Sequence, residues 1–392
     1  MGSFKRRCLS IILIFVTMLC LSSCNSNLKS KETTFLSIDI TQVKKEVVLP
    51  ISELIESLEI IHLENKEEAF VRIGAIYVAN NFVGVRPYGG GAYKLFAKNG
   101  KFIGNVGNRG QGPGEYSSLY HSQICENTAR VYLTSYNADK ILTYDLKGNF
   151  LAKECIPLMT RMPKGLFYVD TQRKIVTILN LPFKDVDKMV CWTQDFDGKI
   201  LQFMPAGNYA VIPDYSNEVT SYRNTEAIDF FISLFSQSVQ DTLYHYNPEK
   251  NKITPVFTLN APRNPGKITY QYVELPNDFL IFIKTIVMGA NPSNDVSKTQ
   301  IIQVNKKTHE ARYVRVVNDF LGDYEIDPFF LSFRIRDGYF TDTMEPELLK
   351  DYLREALKND DLQPDIKTRM VELNNKLHPN DNNVIMIGKL KQ

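Results

Sequence analysis

Lys94-Leu-Phe-Ala-Lys-Asn-Gly-Lys-Phe-Ile103, Ile141-Leu-Thr-Tyr-Asp-Leu-Lys-Gly-Asn-Phe150 and Cys191-Trp-Thr-Gln-Asp-Phe-Asp-Gly-Lys-Ile200 share one form. Each is an apolar strand, a polar turn and a second apolar strand. Asn-Gly, Lys-Gly and Asp-Gly supply the left-handed residues that tight hairpins need. Weaker copies run Leu243–Ile253 and Ile302–Ala311. The turns begin at Ala97, Asp145, Asp195, Asn247 and Asn305, at separations of 48, 50, 52 and 58 residues. Further strand pairs turn near Asn80-Asn81, Asn127-Thr128, Thr171-Gln172, Asn277-Asp278 and Asp337-Gly338, so each period holds four strands.

A four-stranded unit repeating every 40 to 50 residues or so is the blade of a β-propeller. A helical stretch interrupts the repeat at 345–377. Glu345-Pro346-Glu347 opens a helix with Leu348, Leu349, Tyr352, Leu353, Ala356 and Leu357 on its apolar face, and Pro364-Asp365 opens a second with Ile366, Met370, Leu373 and Leu377 inward. Outside that insertion the body divides into six units of about 51 residues; seven would be shorter than any spacing seen. The expected fold is therefore all-β: a six-bladed β-propeller with a small helical insertion near the C-terminus. Val384–Leu390 is expected to pair with Leu58–Leu63 in a closing blade. The insertion, leaving between the second and third strands of blade six, would cap the channel or decorate the ring.

The N-terminus reads differently. Lys5, Arg6 and Arg7 precede a 13-residue apolar run, Leu9–Leu21, too short to span a bilayer and suited to a secretory signal. Leu21-Ser22-Ser23-Cys24 resembles a bacterial lipobox, which implies cleavage before Cys24, acylation of its thiol and anchoring in a lipid bilayer. The expected organisation is a signal peptide at 1–23, a lipidated Cys24 with a tether to residue 50, and the propeller over 51–392. The address is a cell-envelope lipoprotein of the outer membrane, facing the periplasm or the cell surface.

Composition sets limits. The chain has 392 residues, 44% hydrophobic, so a large core is available. Lys and Arg number 46 against 44 Asp and Glu, and losing residues 1–23 removes three basic residues and no acidic one. That balance gives nothing to draw nucleic acid. Of six cysteines, Cys125, Cys155 and Cys191 remain beyond the signal, an odd number without a Cys-x-x-Cys; they read as buried thiols.

A wider likeness rests on Ile51–Glu64, Phe102–Tyr116, Asp241–His245 and Asn383–Lys389. Together these stretches resemble the six-bladed β-propeller lipoproteins of Bacteroidota-type bacteria, and Arg109-Gly-Gln-Gly-Pro-Gly-Glu-Tyr116 is the most specific of them. The resemblance implies a six-bladed fold, export and lipidation, and supplies no catalytic residues. The glycine-rich Arg86-Pro-Tyr-Gly-Gly-Gly-Ala92 departs from it.

Chemistry is harder to find. Gly104–Tyr116 lacks the Gly-Lys-Ser/Thr of a phosphate loop and reads as an inter-blade crossover. Its functional version is a ligand site of Arg109, Gly110, Gln111, Gly112, Gly114, Glu115 and Tyr116. Backbone N–H groups there would nest an anion and Arg109 would grip a carboxylate or phosphate, unless Glu115 neutralises it. Tyr88, Tyr93 and Tyr116 are candidate stacking platforms at a mouth. His62, His121, His245, His309 and His378 show no ligand spacing, so no metal and no cofactor are assigned. The function expected is a non-catalytic binding or scaffold module, acting as a monomer, for a peptide, protein or glycan. The alternative is a propeller lyase or hydrolase with a channel metal held from several blades.

Overall fold

A computed structural model describes residues 35–234, 241–264, 267–287 and 296–392. The signal peptide, Cys24 and the first ten residues after it lie outside the described residues. The rest forms six sheets of at least four strands each. Blade 1 comprises Ile73–Val78, Phe82–Pro87, Tyr93–Ala97 and Phe102–Val106, and blade 2 Leu119–Cys125, Arg130–Ser135, Ala138–Asp145 and Ile156–Met162. Blade 3 runs from Gly165–Asp170 to Ile200–Pro205, blade 4 from Glu218–Thr220 to Lys252–Asn260, and blade 5 from Ile268–Glu274 to Ala311–Asn318. Blade 6 is made of Ile335–Arg336, Tyr339–Met344, Val384–Lys389 and Glu59–His62. The six-bladed propeller expected from the repeat is the fold observed.

The turn residues do the shaping. Asp145 Oδ1 accepts from the N–H of Lys147 and of Asn149, both at 2.9 Å, and Asp195 accepts likewise from Asp197 and Lys199. This ties each hairpin with its own entry side chain. Gly148, at φ +87°, also touches the neighbouring blade: a Cβ there would stand 2.0 Å from the Asn105 carbonyl oxygen. Left-handed backbone and close approach thus coincide in one residue.

Ring closure follows expectation. Glu59–His62 is the outermost strand of blade 6, antiparallel to Val384–Lys389, with Ile61 opposite Ile385. Ile61, Ile385 and Ile387 share an apolar cluster with Val83, Val85 and Phe96 of blade 1. Asn382 Nδ2 donates to the carbonyls of Glu64 and Ala69, and Asn383 Nδ2 to that of Val71.

The propeller begins earlier than residue 51. Leu36–Asp39 runs parallel to Lys252–Asn260 at the edge of blade 4, and Glu46–Pro50 parallel to Ala311–Asn318 at the edge of blade 5. Residues 36–50 are therefore edge strands rather than tether. A strand paired along one side only needs little apolar pattern, which is why Leu36-Ser-Ile-Asp39 reads as linker.

Three helices lie near the C-terminus. Helix α1, Pro328–Arg334, was not expected; Asp327 caps it by accepting the Phe329 N–H at 2.8 Å, and proline stands in its first turn. Helices α2, Pro346–Ala356, and α3, Pro364–Lys376, fill the expected insertion between the second and third strands of blade 6. They bury Leu349, Leu353, Met370, Leu373 and Leu377 in the core that also holds Leu321, Val384 and Met386. All three body cysteines are free, but only Cys191 is fully buried; Cys125 and Cys155 are half-buried near blade edges.

Candidate functional site

A cavity of about 800 Å³ lies at one end of the channel, walled by blades 6 and 1, the crossover into blade 2 and helix α1. Five arginines line it: Arg72, Arg86, Arg109, Arg334 and Arg336. One carboxylate joins them, Asp342, 2.6 Å from the Arg334 guanidinium. Burial pushes the Asp342 carboxyl up, and Arg334 opposes that. Tyr88, Phe330 and Phe333 add exposed rings.

Each arginine has its own support. Arg72, just before the first strand of blade 1, lies 4.5 Å over the Tyr88 ring. Arg86 Nη1 reaches the carbonyls of Leu119 and Tyr120, both at 3.4 Å. Arg336, on the inner strand of blade 6, lies between Tyr77 and Tyr222, 5.3 and 5.9 Å from their ring centroids. Arg109 is carried by the crossover, where Asn108–Arg109 pairs in parallel with Glu115–Tyr116. It rests on the glycine-rich turn, whose Gly90 at φ +100° would bring a Cβ to 3.5 Å from Arg109 Nη1.

The crossover explains which expected residues reach the cavity. Arg109 and Tyr116 line it; Gly110, Gln111, Gly112, Gly114 and Glu115 do not. Glu115 is spent on the loop itself, accepting the Gly112 N–H at 2.8 Å, so that N–H is not open to an anion. Among the described residues Glu115 makes no ion pair with Arg109. Gly114 packs on blade 2, where its carbonyl accepts the Tyr144 hydroxyl at 2.7 Å. Tyr116 is 3% exposed; its hydroxyl accepts the Tyr93 N–H at 2.7 Å, and burial pushes its pKa up to about 12. Tyr93 is wholly buried too, so Tyr88, 63% exposed, is the tyrosine left as a platform.

Sequence reasoning missed Arg72, Arg86, Arg334, Arg336, Asp342, Phe330 and Phe333. Their spacing carries no motif, because they meet only when blade 6 closes against blade 1. Asp327-Pro328 was the one readable cue for α1. Helices α2 and α3 contribute nothing to the lining of this cavity; α1 is the helix at its rim.

At the opposite end of the channel lies a narrower cleft of about 410 Å³, lined by Tyr77, His121, Tyr168, Arg223, Asp337 and Tyr339 among others. His121 is 8% exposed and edge-on to Phe167, Tyr168 and Tyr77 at centroid distances of 4.8, 5.9 and 6.3 Å. Burial first, then Arg336, Arg223 and Arg86, hold its pKa well below the usual histidine range. Among the described residues no three His, Cys, Asp or Glu side chains gather as a metal site.

Fold and geometry define a six-bladed β-propeller with an arginine-lined mouth. Residues 35–389 match the family model DUF4934, a domain of unknown function, and the chain belongs to that family. No curated protein matches it. Among solved structures, a Bacteroides fragilis chain named "Putative exported protein" is 15% identical, covering 92% of this chain and 100% of its own, with a TM-score of 0.58. A member of the DUF4221 family from Bacteroides vulgatus is 11% identical over 86% of this chain and 98% of its own, with a TM-score of 0.45. The first likeness speaks for the fold; the second is too loose to carry an argument.

Proposed function

We propose that this protein is an exported, lipid-anchored propeller that holds an anionic peptide, protein segment or glycan at its arginine-lined mouth without transforming it. The observation that carries the reading is the charge of the cavity: five guanidinium groups face one carboxylate, itself ion-paired. A concave, low-dielectric wall of one sign concentrates counter-charged ligands. Guanidinium forks suit carboxylate and phosphate oxygens, and arginine neither gives up nor takes a proton near neutral pH. The lining is thus equipped to grip rather than to exchange protons. Export and anchoring rest on the basic and apolar N-terminus ending at Cys24 and on the printed name of the Bacteroides fragilis structure. In this reading the mouth works at the outer membrane, facing the periplasm or the medium.

Titration calorimetry with pentaglutamate, trigalacturonate and neutral maltotriose tests the reading. Both anions are expected to bind, more weakly as salt rises, and maltotriose is not. Absence of binding by either anion at low salt overturns it. Mass spectrometry of the mature N-terminus tests the anchor: an unacylated residue other than Cys24 would remove it.

A further inference from the structure

The narrow cleft at the far end of the channel carries chemistry that the mouth does not use. Two turns frame it, one within blade 4 and one within blade 6. Arg223 and Asp337 stand on them at φ +52° and +51°, a backbone region unfavourable for side chains other than Asn, Asp or Gly. The turns are locked to each other. The Asp337 N–H donates to the Tyr222 carbonyl at 2.7 Å, and the Gly338 N–H to Asn224 Oδ1 at 3.2 Å. From beneath, Asp229 accepts the Arg223 N–H at 2.7 Å, and the Tyr168 hydroxyl donates to Ser221 at 2.6 Å.

This frame presents two opposite charges without joining them. The Arg223 guanidinium carbon lies over the Tyr168 ring, 4.3 Å from its centroid. Among the described residues neither it nor the Asp337 carboxylate has a hydrogen bond or an ion pair within 4.0 Å; Asp337 lies in the field of Arg336 first and of Arg223 second. On the first strand of blade 2, lining the same cleft, sits His121, 92% buried, with its Nδ1 lacking any partner.

We propose that this cleft binds a free α-amino acid with an apolar side chain. Its carboxylate lies on Arg223 and its ammonium on Asp337. A simple anion would leave Asp337 unanswered and a simple cation Arg223, whereas a zwitterion satisfies both. A volume of about 410 Å³ suits one small molecule, and the rings of Tyr77, Tyr168 and Tyr339 suit an apolar side chain. Blocking either end of the amino acid removes one of the two charges the cleft is built to meet.

The test is titration calorimetry of the purified chain with L-phenylalanine, L-leucine, N-acetyl-L-phenylalanine and L-phenylalaninamide. The two free amino acids are expected to bind, and each blocked derivative at least tenfold more weakly, about 1.4 kcal/mol. Asp337→Asn keeps a residue that tolerates left-handed backbone, and Arg223→Gln removes the guanidinium. Each should weaken L-phenylalanine at least tenfold while leaving a cooperative melt, and Arg223→Gln should leave pentaglutamate binding at the other mouth unchanged. The proposal is overturned if the folded wild type binds neither free amino acid, if the blocked derivatives bind equally well, or if Asp337→Asn binds as wild type. Pentaglutamate binding separates this outcome from the fate of the mouth reading.

Discussion

The guanidinium of Arg334 stands 2.6 Å from the carboxylate of Asp342, so the single acidic group of the mouth is committed to one of its five arginines. Asp342 is 1% exposed by its side chain and Arg334 21%. Replacing Asp342 with Asn frees a guanidinium toward the cavity and strips a partly buried charge of its partner. Pentaglutamate affinity should rise about three- to tenfold at low salt. Unfolding free energy should fall by about 2–4 kcal/mol. Weaker pentaglutamate binding by a variant that still melts cooperatively would mean that Arg334 contributes nothing to the grip.

Arg72 and Arg109 sit at the rim, and neither holds the ring together. Changing either to Ala should raise the pentaglutamate Kd about tenfold, or about 1.4 kcal/mol, and flatten its dependence on salt. Melting temperatures should stay within about 2 °C of wild type, as for surface substitutions. Calorimetry at two salt concentrations, with a thermal melt beside it, reads all three quantities.

The helical insertion is structural. Leu353 on α2 is fully buried in the core of blades 5 and 6, whereas Leu348, five residues earlier, is 59% exposed. Leu353→Ala should cost about 2–5 kcal/mol by urea denaturation, and Leu348→Ala less than about 0.5 kcal/mol. Removing residues 345–377 would uncover that core, so this deletion should unfold the chain rather than merely open the mouth. A deletion variant with a wild-type melt would show that α2 and α3 are decoration.

Glu274 joins blades 4 and 5 through His245 Nε2 and Lys306 Nζ, each at 2.6 Å. Burial pushes its carboxyl up, but His245 and then Lys306 outweigh that and hold the pKa below the usual 4.5. A lowered acid contributes stability that is present above the unfolded value and is lost as pH falls through the folded one. Glu274→Gln should therefore be less stable than wild type at pH 7. The gap should close below about pH 4.5. A gap independent of pH between 7 and 3 would refute the charged bridge.

The hairpin units were legible because each turn carries its own chemistry in sequence order. Asp145 and Asp195 accept their own loop N–H groups, and Gly148 and Gly198 follow where φ is positive. The closing strand was legible for a similar reason: Ile60, Ile61 and the run Val384-Ile-Met-Ile387 are strongly apolar. The edge strands over 36–50 were hidden, since their pairing is set by partners more than 200 residues away. Arg109 could be singled out by its glycine-rich company. Arg72, Arg86, Arg334 and Arg336 could not, because nothing local marks a side chain whose neighbours arrive from other blades. The anion nest expected of the crossover failed for a local reason: Glu115, three residues on, already takes the Gly112 N–H.

Because Glu59–His62 finds its partner only in Val384–Lys389, the sixth sheet cannot exist until almost the whole polypeptide has been made. A nascent chain paused anywhere earlier carries an unsealed arc, with Ile61 waiting for Ile385 across more than 300 residues. Synthesis from the N-terminus therefore postpones the final latch until Val384–Lys389 has emerged, and truncation before Val384 should leave an open crescent in place of a wheel.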